Sequence, residues 1–167
     1  KILSVLSLLQ IQFEWVHFGG TEVDIHKLKK LAGEKFQSPN KLIARGHISQ
    51  DELMAFYQSI PCDLFINLSE SEGIPVSIME AISFGIPILS NDVGGVGEIV
   101  TDETGILVKK DDLPDFIASK ILTYFQSGDS RSPTIRRRIH GFWDLKFNAE
   151  RNYNSFCKEI QKFGFQL

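Results

Sequence analysis

The sequence predicts an α/β fold in which a parallel sheet carries helices on both faces. Three observations lead there. Short apolar runs of strand length alternate with segments of helical periodicity along the chain. The runs at 63–68 and 86–89 are apolar almost without interruption, as strands covered on both sides are. Glycine-containing or polar turns (Gly19-Gly20, Gly46-His47 and Ser69 to Pro75) follow the carboxyl ends of three runs, which is where ligands sit in such sheets.

Residues 1 to 11 pair a lysine with mostly apolar residues and mimic a signal peptide. No small-x-small cleavage site follows and there is no initiator Met, so a buried helix is expected, with the strand before it missing. Phe13 to Phe18 reads as a strand. Val23 to Phe36 follows as a helix, with Ile25, Leu28, Leu31 and Ala32 at helical spacing and lysines opposite. Lys41 to Gly46 is the next strand. Ser49 with Glu52 forms a capping box for a helix from Gln50 to Ile60, whose inner face is Leu53, Met54, Phe56 and Tyr57.

The stretch from Cys62 to Val100 is a β-loop-α-β unit. Asp63 to Leu68 is a strand and Ser69 to Gly73 a polar turn. Pro75 is expected at the first helical position, where its missing N–H costs nothing. Ile78, Met79 and Ile82 make the helical stripe, Gly85 ends it as a left-handed cap, and Ile86 to Ser90 is the next strand, closed by Gly94-Gly95. Val96 to Val100 is a short helix and Gly105 to Val108 a last strand. A helix is expected to start at Asp111-Asp112 and run to about Phe125. Ser127 to Pro133 reads as a linker, followed by helices over Pro133 to Asp144 and Asn148 to Phe163. Consecutive helical residues point about 100° apart, so Arg136-Arg137-Arg138 cannot form one basic face and is expected to be solvated.

The loop before the 75–84 helix suits an anion. Amides of Gly73, Ile74, Val76 and Ser77 lie at or just before a helix start, where N–H groups lack partners and the helix field favours negative charge. Glu72 and Glu80 bracket it, and helical side chains lean toward the N-terminus, so Glu80 can aim back at the loop mouth. Carboxylates repel phosphate, so these two are better matched to hydroxyls. Polyol plus phosphate points to a nucleotide sugar. The competing reading is an ordinary β-α-β unit with solvated acids at a helix start.

The composition, 43% hydrophobic and 23% charged over 167 residues, is that of a globular domain, and a net charge of −3 argues against a nucleic-acid partner. No run is long enough to span a bilayer. Cys62 and Cys157 offer neither a disulfide framework nor zinc spacing and fit a reducing compartment. Gly94-Gly-Val-Gly97 fails as a dinucleotide fingerprint, because Val100 stands where glycine or alanine is needed. His17, His26, His47 and His140 lack metal or nucleophile spacing, although His47 lies at a strand end beside the proposed crevice.

Glu72-x7-Glu80, within Glu-Gly-Ile-Pro-Val-Ser-Ile-Met-Glu-Ala-Ile-Ser-Phe-Gly-Ile-Pro, resembles the donor-site motif of retaining GT-B glycosyltransferases, specifically glycosyltransferase family 4. Asn91 to Val100 and Thr104 to Val108 resemble that family's next strand, turn and strand, and the likeness covers roughly residues 13 to 165. It implies the C-terminal half of a GT-B enzyme with its first strand missing. Residues 1–126 would be a truncated, Rossmann-like, nucleotide-sugar-binding domain, with helices of 127–167 packed on it. Phe142, Trp143, Phe147, Tyr153 and Phe156 would serve as core or as an interface to an N-terminal acceptor-binding domain.

By this resemblance Glu72 contacts the donor sugar near the reacting carbon and Glu80 the ribose hydroxyls. Gly73, Ile74, Pro75 and Val76 present backbone to the sugar and distal phosphate, Gly46, His47 and Ile48 border the base, and Gly19 and Gly20 wall the pocket. Transfer retains anomeric configuration without a metal ion or cofactor, and no Asp-x-Asp occurs. The implied setting is cytoplasmic, at the inner membrane face if the acceptor is lipid-linked. The family's phosphate-binding Arg and Lys would lie before residue 1. A micromolar complex needs about 8 kcal/mol and charge-assisted hydrogen bonds give roughly 1.5–3 each, so the chain alone is expected to be inactive and to bind donor more weakly than about 1 mM. Two other readings stay open: another GT-B enzyme, such as a nucleotide-sugar epimerase or phosphorylase, and a non-enzymatic α/β binding module.

Overall fold

The computed structural model describes residues 1–128 and 132–162. They form two units: Lys1–Pro61 with Asp111–Ser127, and Cys62–Lys110 with residues 128 and 132–162. Linker residues 129–131 and the expected helix end at Phe163 lie outside the described residues. All strand pairing is parallel, as the alternation of strands and helices requires.

In the first unit α1 (Ile2–Leu6) buries Val5 and Leu6 and packs against α6 (Pro114–Gln126), which buries Ile117, Ala118 and Ile121. β1 (Glu14–His17) pairs with β2 (Lys41–Ala44) in the register Glu14↔Lys41 to His17↔Ala44. Between them runs α2 (Glu22–Lys35), started by a capping box absent from the sequence expectation: Thr21 Oγ1 accepts the Asp24 amide and Asp24 Oδ2 accepts the Thr21 amide at 3.0 Å. α3 (Gln50–Ser59) starts with the expected box, Glu52 Oε2 accepting from the Ser49 amide and hydroxyl, each at 2.8 Å. Its expected inner face is half-buried, and Phe56 meets Phe18 edge-on at 4.9 Å.

The start of α6 differs from expectation. Leu113 precedes a proline, which disfavours the helical region, and it is extended (ψ 153°); the helix therefore begins at Pro114 rather than at Asp111-Asp112.

In the second unit β3 (Phe65–Asn67), β4 (Ile88–Asn91) and β5 (Gly105–Val108) lie in that order. The middle strand β4 is buried at every residue, which explains its unbroken apolar start. α4 (Val76–Ser83) connects β3 to β4 and buries Ile78, Ala81 and Ile82. Gly85 ends it as expected. At φ +67° its amide reaches Ile82 O (2.9 Å) while the Ile86 amide reaches Ala81 O (3.1 Å), the paired bonds of a Schellman cap. α5 (Val96–Ile99) leads to Thr104, whose buried hydroxyl donates to Ile99 O at 2.7 Å and sets the approach to β5.

α7 (Pro133–Lys146) packs on α4, and α8 (Ala149–Lys162) follows it. The expectation of three solvated arginines is corrected here. Arg137 and Arg138 are exposed, but Arg136 is half-buried and donates to the Cys62 carbonyl, while His140 Nδ1 lies 2.7 Å from Ser83 O at the end of α4. One helical position in three faces the neighbour, so one arginine is withdrawn from water.

Candidate functional site

The residues singled out by sequence fall into one group in each unit. In the first, β1 and β2 both end in glycine turns. The Gly19 amide donates to Gly46 O at 2.5 Å, and Gly19, Gly20 and Gly46 all hold positive φ (96°, 83° and 69°). At φ +69° any other residue at position 46 would be strained, and its β-carbon would meet Ile25 Cδ1 at 2.9 Å. Gly46 is buried, Ile48 half-buried and His47 exposed. Burial holds the His17 imidazole, at the end of β1, below its ordinary pKa.

In the second unit the group surrounds the start of α4. Pro75 is the N-cap rather than the expected first helical residue. Its ψ of 110° keeps it extended, and its carbonyl accepts the Ile78 and Met79 amides at 3.1 and 3.3 Å. With Pro75 extended, the helix begins one residue later, at Val76, and just before it the Gly95 amide of the turn after β4 donates to Gly73 O at 2.9 Å. No side chain caps this end. Among the described residues the amides of Gly73, Ile74, Val76 and Ser77 make no hydrogen bond, and Ile74 (53%) and Val76 (60%) are exposed. An open row of donors at a helix start, edged by apolar side chains, is a place for an anionic group carrying a less polar one.

Glu72 and Glu80 are both half-buried, Glu72 in the loop and Glu80 in the second turn of α4. Sequence reasoning missed the residues that shape this loop. Asn67, last in β3, donates Nδ2–H to Glu72 Oε1 at 3.0 Å, and its Oδ1 accepts the Ser69 amide at 2.9 Å. Asn91, last in β4 and 1% exposed, donates to Ser69 O at 2.9 Å and leaves its Oδ1 buried without a partner. The available signal was an asparagine closing each of two strands that begin apolar.

Comparison with known proteins identifies the family and the fold. The family described as glycosyl transferases group 1 matches residues 2–138. The chain is 42% identical over 110 residues to the O-antigen biosynthesis glycosyltransferase WbnH of Escherichia coli; the match takes in 65% of this chain and 30% of that protein. It therefore spans about a third of the length of that relative. Among solved structures, sucrose-phosphate synthase from Thermosynechococcus elongatus superposes with a TM-score of 0.75 at 18% identity, covering 97% of this chain and 41% of the other. Anabaena Alr3699/HepE in complex with UDP-glucose gives 0.70 at 19% identity, with 96% and 44% covered. These likenesses show the fold, that of GT-B glycosyltransferases, and the profile match over residues 2–138 shows the family: the chain belongs to the glycosyl transferases group 1.

Proposed function

We propose that this chain is the donor-binding part of a retaining glycosyltransferase, of family 4, that moves a sugar from a nucleotide-diphosphate sugar to a glycan or lipid-linked acceptor. The observation that carries the reading is the head of α4, where unpartnered amides of Gly73, Ile74, Val76 and Ser77 follow a carboxylate held in place by Asn67. The relatives support it. WbnH is an O-antigen biosynthesis glycosyltransferase, and HepE is seen with UDP-glucose.

In this reading the amides take the distal phosphate and sugar oxygens, through hydrogen bonds strengthened by the ligand's charge. Glu72 accepts from sugar hydroxyls and Glu80 from the ribose. Gly19 and Gly20 wall the nucleotide, and Gly46, His47 and Ile48 border the base. The acceptor oxygen bonds to the anomeric carbon on the face from which the diphosphate leaves, and the acceptor's proton passes to the departing phosphate oxygen. Neither metal ion nor cofactor takes part. Glu72 positions the sugar and stabilises developing positive charge at the ring. No helix among the described residues is long and apolar enough to cross a membrane.

The test is Glu72→Ala and Glu80→Ala in the intact protein, with product anomers read by NMR. The expected result is a loss of transfer of about 100-fold or more at unchanged melting temperature, with retained configuration in the wild-type product. Unchanged transfer in both variants, or an inverted product, would overturn the reading.

A further inference from the structure

A glutamate in a surface loop rotates freely about its side-chain bonds, and that freedom is lost whenever it must hold one ligand atom. Glu72 has already lost it. Asn67 Nδ2–H is bound to Glu72 Oε1 at 3.0 Å, and Asn67 cannot turn its amide over, because its Oδ1 accepts the Ser69 amide at 2.9 Å. A flipped amide would set its NH2 against an N–H and its oxygen against a carboxylate, so the two partners together fix one orientation. The anchor is itself anchored. Asn67 pairs with Ser90 in the β3–β4 ladder, and the next residue, Asn91, holds the Ser69 carbonyl at 2.9 Å. Ser69 is thus gripped at its amide from one strand end and at its carbonyl from the adjacent one. Among the described residues Glu72 Oε2 carries no hydrogen bond, so it is the oxygen left to a ligand.

Resting on the reading of Glu72 as the donor-sugar contact, we propose that Asn67 is a positioning residue for the transfer reaction. It ties down one carboxylate oxygen of Glu72 so that the other alone meets a sugar hydroxyl. Its contribution is preorganisation, which appears in turnover more than in ground-state affinity.

Two substitutions separate this role from loop folding. Asn67→Asp keeps an acceptor for the Ser69 amide but turns a second oxygen toward Glu72, whereas Asn67→Ala removes both bonds. With UDP-glucose as donor probe and the intact enzyme, N67D is expected to lower kcat at least as far as N67A, about tenfold, with KM within about twofold of wild type. N67D near wild type with N67A impaired would overturn the proposal, since Ser69 would then be the contact that matters. A second arm needs no donor. In the ligand-free chain, Glu72→Ala is expected to move the Asn67 side-chain amide resonances while the Ser69 backbone amide stays in place, and unmoved Asn67 signals would overturn the clamp. Unimpaired turnover by E72A would sink the reading of Glu72 and the proposal with it. Impaired E72A beside unimpaired N67D sinks the clamp alone.

Discussion

Gly94 lies so close to Glu72 that a β-carbon on it would overlap the Glu72 carbonyl oxygen. The turn after β4 thereby clasps the loop before α4 from outside, with the Gly95 amide on Gly73 O as its hydrogen bond. Gly94 also holds φ +55°, a conformation that costs any other residue. Gly94→Ala is therefore expected to destabilise the fold by about 2 kcal/mol or more. Gly97 is the control. It lies in α5, where a β-carbon meets only the exposed Asp92 Oδ1 at 3.2 Å, so Gly97→Ala should fall within about 1 kcal/mol of wild type. Urea denaturation of both variants checks the contrast.

The bond from Arg136 to the Cys62 carbonyl ties α7 to the segment that leads into β3. A charged donor on a half-buried carbonyl is worth roughly 1–2 kcal/mol once the competing water is counted. Arg136→Ala should cost about that much, while Arg137→Ala, on the exposed side of the helix, should stay within about 0.5 kcal/mol. Arg136→Lys is expected to fall between them, since an ammonium lacks the guanidinium's planar spread of donors. Equal urea midpoints for R136A and R137A would refute the assignment.

What the sequence disclosed and what it hid divide along the range of the interaction. The Ser49–Glu52 box and the Gly85 cap rest on neighbours within a few residues and stand where the sequence put them, and the apolar run expected as a strand at Ile86 to Ser90 is the buried β4, shifted to Ile88–Asn91. The Glu72 and Glu80 spacing was legible for the same reason. Arg136 and Cys62 are separated by 74 positions, and no local pattern signals their bond. Asn67 meets Glu72 within a loop that has Gly94 and Gly95 packed against it, and Asn91 reaches Ser69 across a strand pair. Long-range contacts thus decided the details of the site, and periodicity decided the frame that carries them.

Acid should destabilise the first unit in two steps. The Ser49 amide and hydroxyl hold the Glu52 carboxyl below its ordinary pKa, and the Thr21 hydroxyl and amide do the same for Asp24. A depressed carboxyl favours folding above its unfolded value, near pH 4, and that contribution disappears as pH falls through the lowered folded value. His17 acts earlier. Its pKa is lowered by burial, so the unfolded chain takes up the proton first and stability declines once pH drops below about 6.5. Thermal unfolding from pH 8 to 3 should show both declines. His17→Gln should flatten the upper one, and Asp24→Asn with Glu52→Gln the lower.

α4 separates stability from ligand contact along its own length. Ile78 is fully buried one turn into the helix, whereas Ile74 and Val76, at its mouth, are 53% and 60% exposed. Truncating Ile78 leaves a cavity in a close-packed core, and Ile78→Ala is expected to cost about 2–5 kcal/mol. The exposed pair contribute little to folding, so Ile74→Ala and Val76→Ala should each change stability by less than about 0.5 kcal/mol. If the helix mouth holds the donor, those same two variants should raise KM for the nucleotide sugar, by about threefold to tenfold for a few lost apolar contacts. Melting curves and initial rates on one set of proteins decide the matter. A loss of stability in I74A or V76A matching that of I78A would show that both residues belong to the core, and unchanged KM in both would remove the apolar edge from the donor site.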